Sequence, residues 1–124
     1  TEVAATLAGA RATHKGRIIA IFQPHLRSRT RDLLAEFGQA FHDADVVVIT
    51  DIYQPRDDGL ADFDVAELLD EVRRQEPGKM IDLVHDMDEV PAYLADKLQP
   101  GDLVMTIGAG DINTIAPALV PDHK

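Results

Sequence analysis

The sequence of 124 residues contains no cysteine. That absence excludes a disulfide framework and any thiolate metal site, and it fits a reducing compartment. Long hydrophobic runs are missing too. The run Ile18–Phe22 has only five residues, far below the roughly 20 of a membrane-spanning helix and short of a signal-peptide core. Basic charge is scarce: the formal net charge is −10, and residues 32–124 carry six basic residues against 21 acids. Non-specific nucleic-acid binding needs a basic surface, so nucleic acid is not an expected partner, and neither is a membrane. There is no Gly-x-x-x-x-Gly-Lys-Ser/Thr phosphate loop, and no nucleophile-elbow glycines flank Ser28. His14, His42, His85 and His123 form no i, i+4 pair, so no metal site is expected within the chain. The start at Thr1 rather than Met leads to the expectation of a portion of a longer protein.

What is present alternates regularly. Residues 2–14 place Val3, Leu7 and Ala10 on one helical face, with Thr1 as a candidate cap. A strand is expected at Arg17–Phe22. A helix capped by Thr30 follows, with Leu33, Leu34, Phe37, Ala40 and Phe41 as its buried stripe. Asp45 leads into a strand at Val46–Thr50, and residues 53–63 read as a long loop. Asp64 caps a helix to about Gln75, ended by Pro77-Gly78. A strand at Met80–Val84 precedes a helix capped by Asp88, with Pro91 in its first turn and Val90, Tyr93, Leu94 and Leu98 inward. Pro100-Gly101 stops it. The last strand, Leu103–Ile107, runs into Gly108-Ala109-Gly110-Asp111, and a final helix is expected from about Asp111.

This pattern predicts a single α/β domain over residues 1–124, a three-layer, Rossmann-like, mostly parallel sheet with helices on both faces. Strands that are apolar on both faces suit that sheet. Right-handed crossovers favour the strand order 3-2-1-4, with an extra edge strand allowed either from residues 112–124 or from chain ahead of Thr1. That order puts the loop after strand 1 beside the loop after strand 4, at the switch point where such sheets bind ligands.

The loop after strand 1 is Gln23-Pro24-His25-Leu26-Arg27-Ser28-Arg29-Thr30. Residues 1–31 hold six basic residues and one acid, Glu2, so this loop is cationic on an otherwise acidic chain. Arginine grips carboxylate or phosphate with paired hydrogen bonds, and helix starts attract anions. His25, Arg27, Ser28 and Arg29 are therefore candidate anion-binding residues. In an extended loop Arg27 and Arg29 could share a face, and Arg29 is favoured because it lies nearer the expected helix start. His25 reads equally well as a loop histidine bonding its own backbone, and Arg27 as a surface cation. Gly108 and Gly110 either form a structural turn or let a ligand approach the backbone closely, with Asp111 as a cap.

The run Phe22-Gln23-Pro24-His25 followed by Ser28-Arg29-Thr30-Arg31-Asp32 resembles the Mur ligase family, in its L-alanine-adding branch. Glu36-Phe37-Gly38, Ala44-Asp45, Asp51-Ile52-Tyr53, Pro100-Gly101-Asp102 and Gly108-Ala109-Gly110-Asp111-Ile112 extend the resemblance along the chain. It implies the C-terminal domain of a three-domain, cytoplasmic, ATP- and Mg2+-dependent amide ligase of peptidoglycan synthesis. The implied partners are UDP-N-acetylmuramic acid, L-alanine, ATP, and the N-terminal and central domains of the same chain. The resemblance assigns the phosphate loop and magnesium ligands to the central domain, so no catalytic residue and no activity are expected of this portion alone. His25 and Arg29 would hold the alanine carboxylate and help neutralise the acyl phosphate. Two positions depart from the family: Leu26 stands where arginine is frequent, and Arg27 where an aromatic is usual. The alternatives are a peptide-adding Mur-type ligase, disfavoured by the Gln-Pro-His loop, and a free-standing Rossmann-like module that binds an anion or nucleotide.

Overall fold

The computed structural model describes residues 2–25, 27–52, 63–108 and 118–119. Helix α1 spans Glu2–Thr13, strand β1 Ile18–Gln23, helix α2 Arg27–Asp32, helix α3 Leu34–Gly38 and strand β2 Val46–Ile49. Helix α4 spans Val65–Gln75, strand β3 Met80–Leu83, helix α5 Val90–Leu94, strand β4 Leu103–Gly108 and strand β5 Ala118–Leu119. The sheet order is β3-β2-β1-β4-β5. The first four strands are mutually parallel, and β5 pairs antiparallel on the outer edge of β4. The expected order is thus found, including an edge strand from residues 112–124. The expected helix from Asp111 lies outside the described residues.

β1 shows why the sheet is buried on both faces. Its alternate residues point to opposite sides. Ile18, Ala20 and Phe22 join a core with Val3 and Leu7 of α1, Phe37 of α3 and Leu68 and Val72 of α4. Ile19 and Ile21 join a second core with Val90 and Leu94 of α5. Helices therefore cover both faces. Phe22 anchors the first core, its ring centroid 5.2 Å from that of Phe37 and 5.4 Å from that of Phe41.

The amino-terminal end of the sheet is fixed by charge. Arg17 donates from Nε and a terminal nitrogen to the two oxygens of Asp102, at 3.1 and 2.8 Å. Asp102 also accepts from the Gln99 N–H at 2.8 Å, and its side chain is only 2% exposed. Burial pushes this carboxyl up, but the bonds from Arg17 and Gln99 and the Arg17 charge outweigh it and hold it below its usual range. Asp45 plays the same part for β2, accepting from the Ile18 N–H at 2.8 Å and from Arg11 at 2.6 Å.

Several boundaries match the sequence pattern. Asp64 caps α4 by accepting from the Ala66 N–H. Gly78 and Gly101 adopt φ of +87° and +92°, which is why glycine ends both helical segments. Three features differ. Helix begins at Arg27, so Thr30 is not a cap; it lies inside α2 with 0% exposure. Asp86 rather than Asp88 is the cap, and it starts a 3-10 turn at Met87–Glu89 ahead of α5. β3 is not apolar on both faces: it is an edge strand carrying Asp82, and Met80 is 46% exposed.

Candidate functional site

The carboxyl ends of the strands form one rim. Gln23, the last residue of β1, is in register with Gly108, the last of β4, so the two strands end side by side. On the other flank the Thr50 N–H bonds the Phe22 carbonyl at 3.0 Å, and the Val84 N–H bonds the Ile49 carbonyl at 2.9 Å. Pairing thus continues past the ends of β2 and β3 and brings residues 23–25, 50–52 and 84–85 next to one another.

Because α2 starts at Arg27, Arg27 and Arg29 do not share a face. Two helical residues apart, their side chains diverge by about 200°. Arg27 is half-buried and lines the rim, whereas Arg29 is exposed to solvent. Arg31 lies at the end of α2 and pairs with its neighbour Asp32 at 3.0 Å, both well exposed. Such a pair contributes about 0–1 kcal/mol. His25 is half-buried just ahead of the helix. Ser28 belongs to α2, but its side chain, like Gly110 and Asp111, lies outside the description.

A cavity of about 420 Å³ opens beside Arg27 and is lined also by Asp51, Ile52, Phe63, Asp64, Val65 and His85. Its lining mixes the apolar Ile52, Phe63 and Val65 with the charged or polar Arg27, Asp51, Asp64 and His85. Asp51 and His85 meet in it: His85 Nδ1 lies 2.6 Å from Asp51 Oδ1, and the Asp51 N–H donates to the His85 carbonyl at 3.1 Å. An ionised carboxylate only accepts, so Nδ1 carries the proton of that bond. Sequence reasoning missed Asp51, Asp64 and His85 as site residues. A signal existed, since Asp51 and His85 each stand two residues beyond a strand end, on the same rim as the loops after β1 and β4.

Among the described residues, no group of three or more His, Cys, Asp or Glu could hold a metal ion, and no helix is long and apolar enough to cross a membrane. A second cavity, about 430 Å³, lies at the amino-terminal end and is lined by Arg11, Lys15, Gly16, Arg17, His42, Asp43 and Asp45. Its Arg11 is bound to Asp45, and its Arg17 to Asp102.

A mostly parallel sheet covered by helices on both faces defines a Rossmann-like α/β domain. Residues 1–110 match the family model described as Mur ligase, glutamate ligase domain, and the chain belongs to that family. It is 44% identical over 120 residues to the UDP-N-acetylmuramate–L-alanine ligase of Desulforamulus reducens, covering 97% of this chain and 26% of that protein. The ligase of the same name from Cutibacterium acnes is 45% identical over 122 residues, with 97% and 26% covered. That of Streptomyces griseus subsp. griseus is 42% identical over 124 residues, with 99% and 26% covered. The chain spans about a quarter of the length of these relatives.

Proposed function

We propose that the chain is the C-terminal domain of a cytoplasmic, ATP-dependent ligase that joins L-alanine to UDP-N-acetylmuramic acid in peptidoglycan synthesis. One observation carries the reading. The Gln23–Arg29 segment, the most specific point of likeness to the alanine-adding ligases, stands at the β1–β4 switch point, with Gln23 in register with Gly108. A loop there meets ligand.

In this reaction ATP passes its γ-phosphoryl group to the sugar's lactyl carboxylate, releasing ADP. The alanine amine attacks the acyl phosphate, inorganic phosphate leaves, and the amine gives up a proton. In this reading His25 and Arg29 hold the alanine carboxylate and face the developing phosphate charge, Ser28 and Arg27 belong to the same segment, and Gly108, Gly110 and Asp111 are the candidate residues after β4. The described residues do not fit Mg2+, and the sequence has no phosphate loop. In this reading magnesium and triphosphate are held mainly by the rest of the enzyme.

The test uses the full-length protein that carries this chain. Incubated with ATP, Mg2+, UDP-N-acetylmuramic acid and L-alanine, it should form ADP, phosphate and the alanyl product in equal amounts. Product formation only when a peptide replaces alanine would transfer the chain to a peptide-adding ligase. ATP or anion binding with no amide product would make it a binding module.

A further inference from the structure

We propose that His85 is a positioning residue for the incoming amino acid, acting by holding the Asp51 carboxylate toward the cavity it shares with Arg27. The inference rests on the ligase reading and assigns it two residues that carry no role there.

The backbone of Asp51 is already fixed. Thr50, 1% exposed, is bonded to Phe22, and the Asp51 N–H to the His85 carbonyl. The Asp51 side chain is not fixed by burial, being 56% exposed. An exposed aspartate samples several rotamers. Among the described residues its carboxylate has one partner, His85 Nδ1, at 2.6 Å on Oδ1. That bond selects one orientation for a carboxylate that lines the cavity. An amino acid is a zwitterion. The cavity carries both signs: the Arg27 guanidinium and the Asp51 carboxylate line it together. Asp51 then takes the ammonium end, and His85 keeps Asp51 in place without touching substrate.

The experiment measures alanine kinetics in the full-length ligase at saturating ATP and sugar nucleotide. Alanine ligation by the unmodified protein is the control; its absence defeats the ligase reading and not this inference in particular. Given that activity, His85→Ala should raise KM for alanine about three- to fivefold, the scale of one exposed charge-assisted contact, with kcat changed less than twofold. Asp51→Ala should raise KM at least as much, and adding His85→Ala to it should do nothing further. The conservative variants separate position from chemistry. Asparagine places its amide N–H near Nδ1, glutamine near Nε2. His85→Asn should restore a near-normal KM, and His85→Gln should not. An unchanged KM in His85→Ala, a loss confined to kcat, or equal rescue by glutamine would each overturn the proposal. Should His85→Ala lower the melting temperature, the Asn-versus-Gln contrast decides by itself.

Discussion

Asp102 and the two α2 arginines show how differently a charged residue acts at opposite ends of one sheet. Asp102 is sealed at the amino-terminal end, where it receives Arg17 through both oxygens. Replacing it with asparagine keeps one acceptor and loses the ion pair, which should cost about 1–3 kcal/mol at pH 7. The pH dependence has a definite sign. The folded pKa of Asp102 lies below the unfolded one, so its stabilisation is complete above the unfolded value of about 3.9 and is lost as pH falls through the lower folded value. Urea unfolding from pH 7 to pH 2 should show wild type and Asp102→Asn converging only at the acid end. A constant gap would mean that the carboxylate charge is not what stabilises the end of the sheet.

At the other end, Arg29 is exposed to solvent, while Arg27 lines the cavity. In the full-length ligase, Arg29→Ala should lower kcat/KM for alanine by about 10- to 100-fold, the worth of a charge-assisted bond of roughly 1.5–3 kcal/mol. Lysine should recover only part, because it lacks the planar fork. Arg27→Ala should cost less. The reverse order would show that Arg27 has taken the role of the arginine that Leu26 displaces.

The elements divide by how local their causes are. Strands β1 and β2 were legible because near-continuous Val and Ile runs suit only a strand buried on both faces. Helix α4 was legible because its apolar positions repeat at helical spacing and Asp64 stands in front. That cap is a real bond, from the Ala66 N–H to Asp64 Oδ1 at 3.0 Å. Asp64→Ala should therefore lower stability by about 1 kcal/mol, read as a shift of the unfolding midpoint with unchanged slope. Helix α2 was misplaced for the same local reasoning. Thr30 is a good cap by residue type, but the chain is already helical at Arg27, and a buried threonine inside a helix looks the same in sequence. The Leu33 N–H bonds the Arg29 carbonyl at 3.0 Å and the Phe37 N–H the Leu33 carbonyl at 2.9 Å, so helical bonding bridges the break between α2 and α3. At α5, Asp86, Asp88 and Glu89 crowd the same entry, and only the backbone decides that Asp86 is the cap.

On the scale of the whole molecule, the strand order followed from alternation and crossover handedness, rules that need no side-chain detail. The Asp51–His85 contact had no such rule. The two residues are 34 apart in sequence, and only the β2–β3 register brings them together. The same scale sets the last prediction. The chain has cores on both faces of its sheet, and its length of 124 residues is that of a self-sufficient domain. Expressed alone, residues 1–124 should unfold in one cooperative transition. They should nevertheless turn over no ATP, with or without UDP-N-acetylmuramic acid and alanine. The rim offers cations for a carboxylate, but the sequence has no phosphate loop and the described residues no metal-holding cluster. Without a cradle for the triphosphate, positioning alanine accelerates nothing, since the acyl phosphate it must attack is never made. The measurement is ADP release by the purified domain, at enzyme concentrations where a contaminating ATPase would be seen in a mock preparation. A folded domain with no turnover fits a site completed only by the rest of the enzyme. Sustained Mg2+-dependent ADP release above the mock would place phosphoryl transfer within these 124 residues, and the division of labour proposed for the ligase would have to be redrawn.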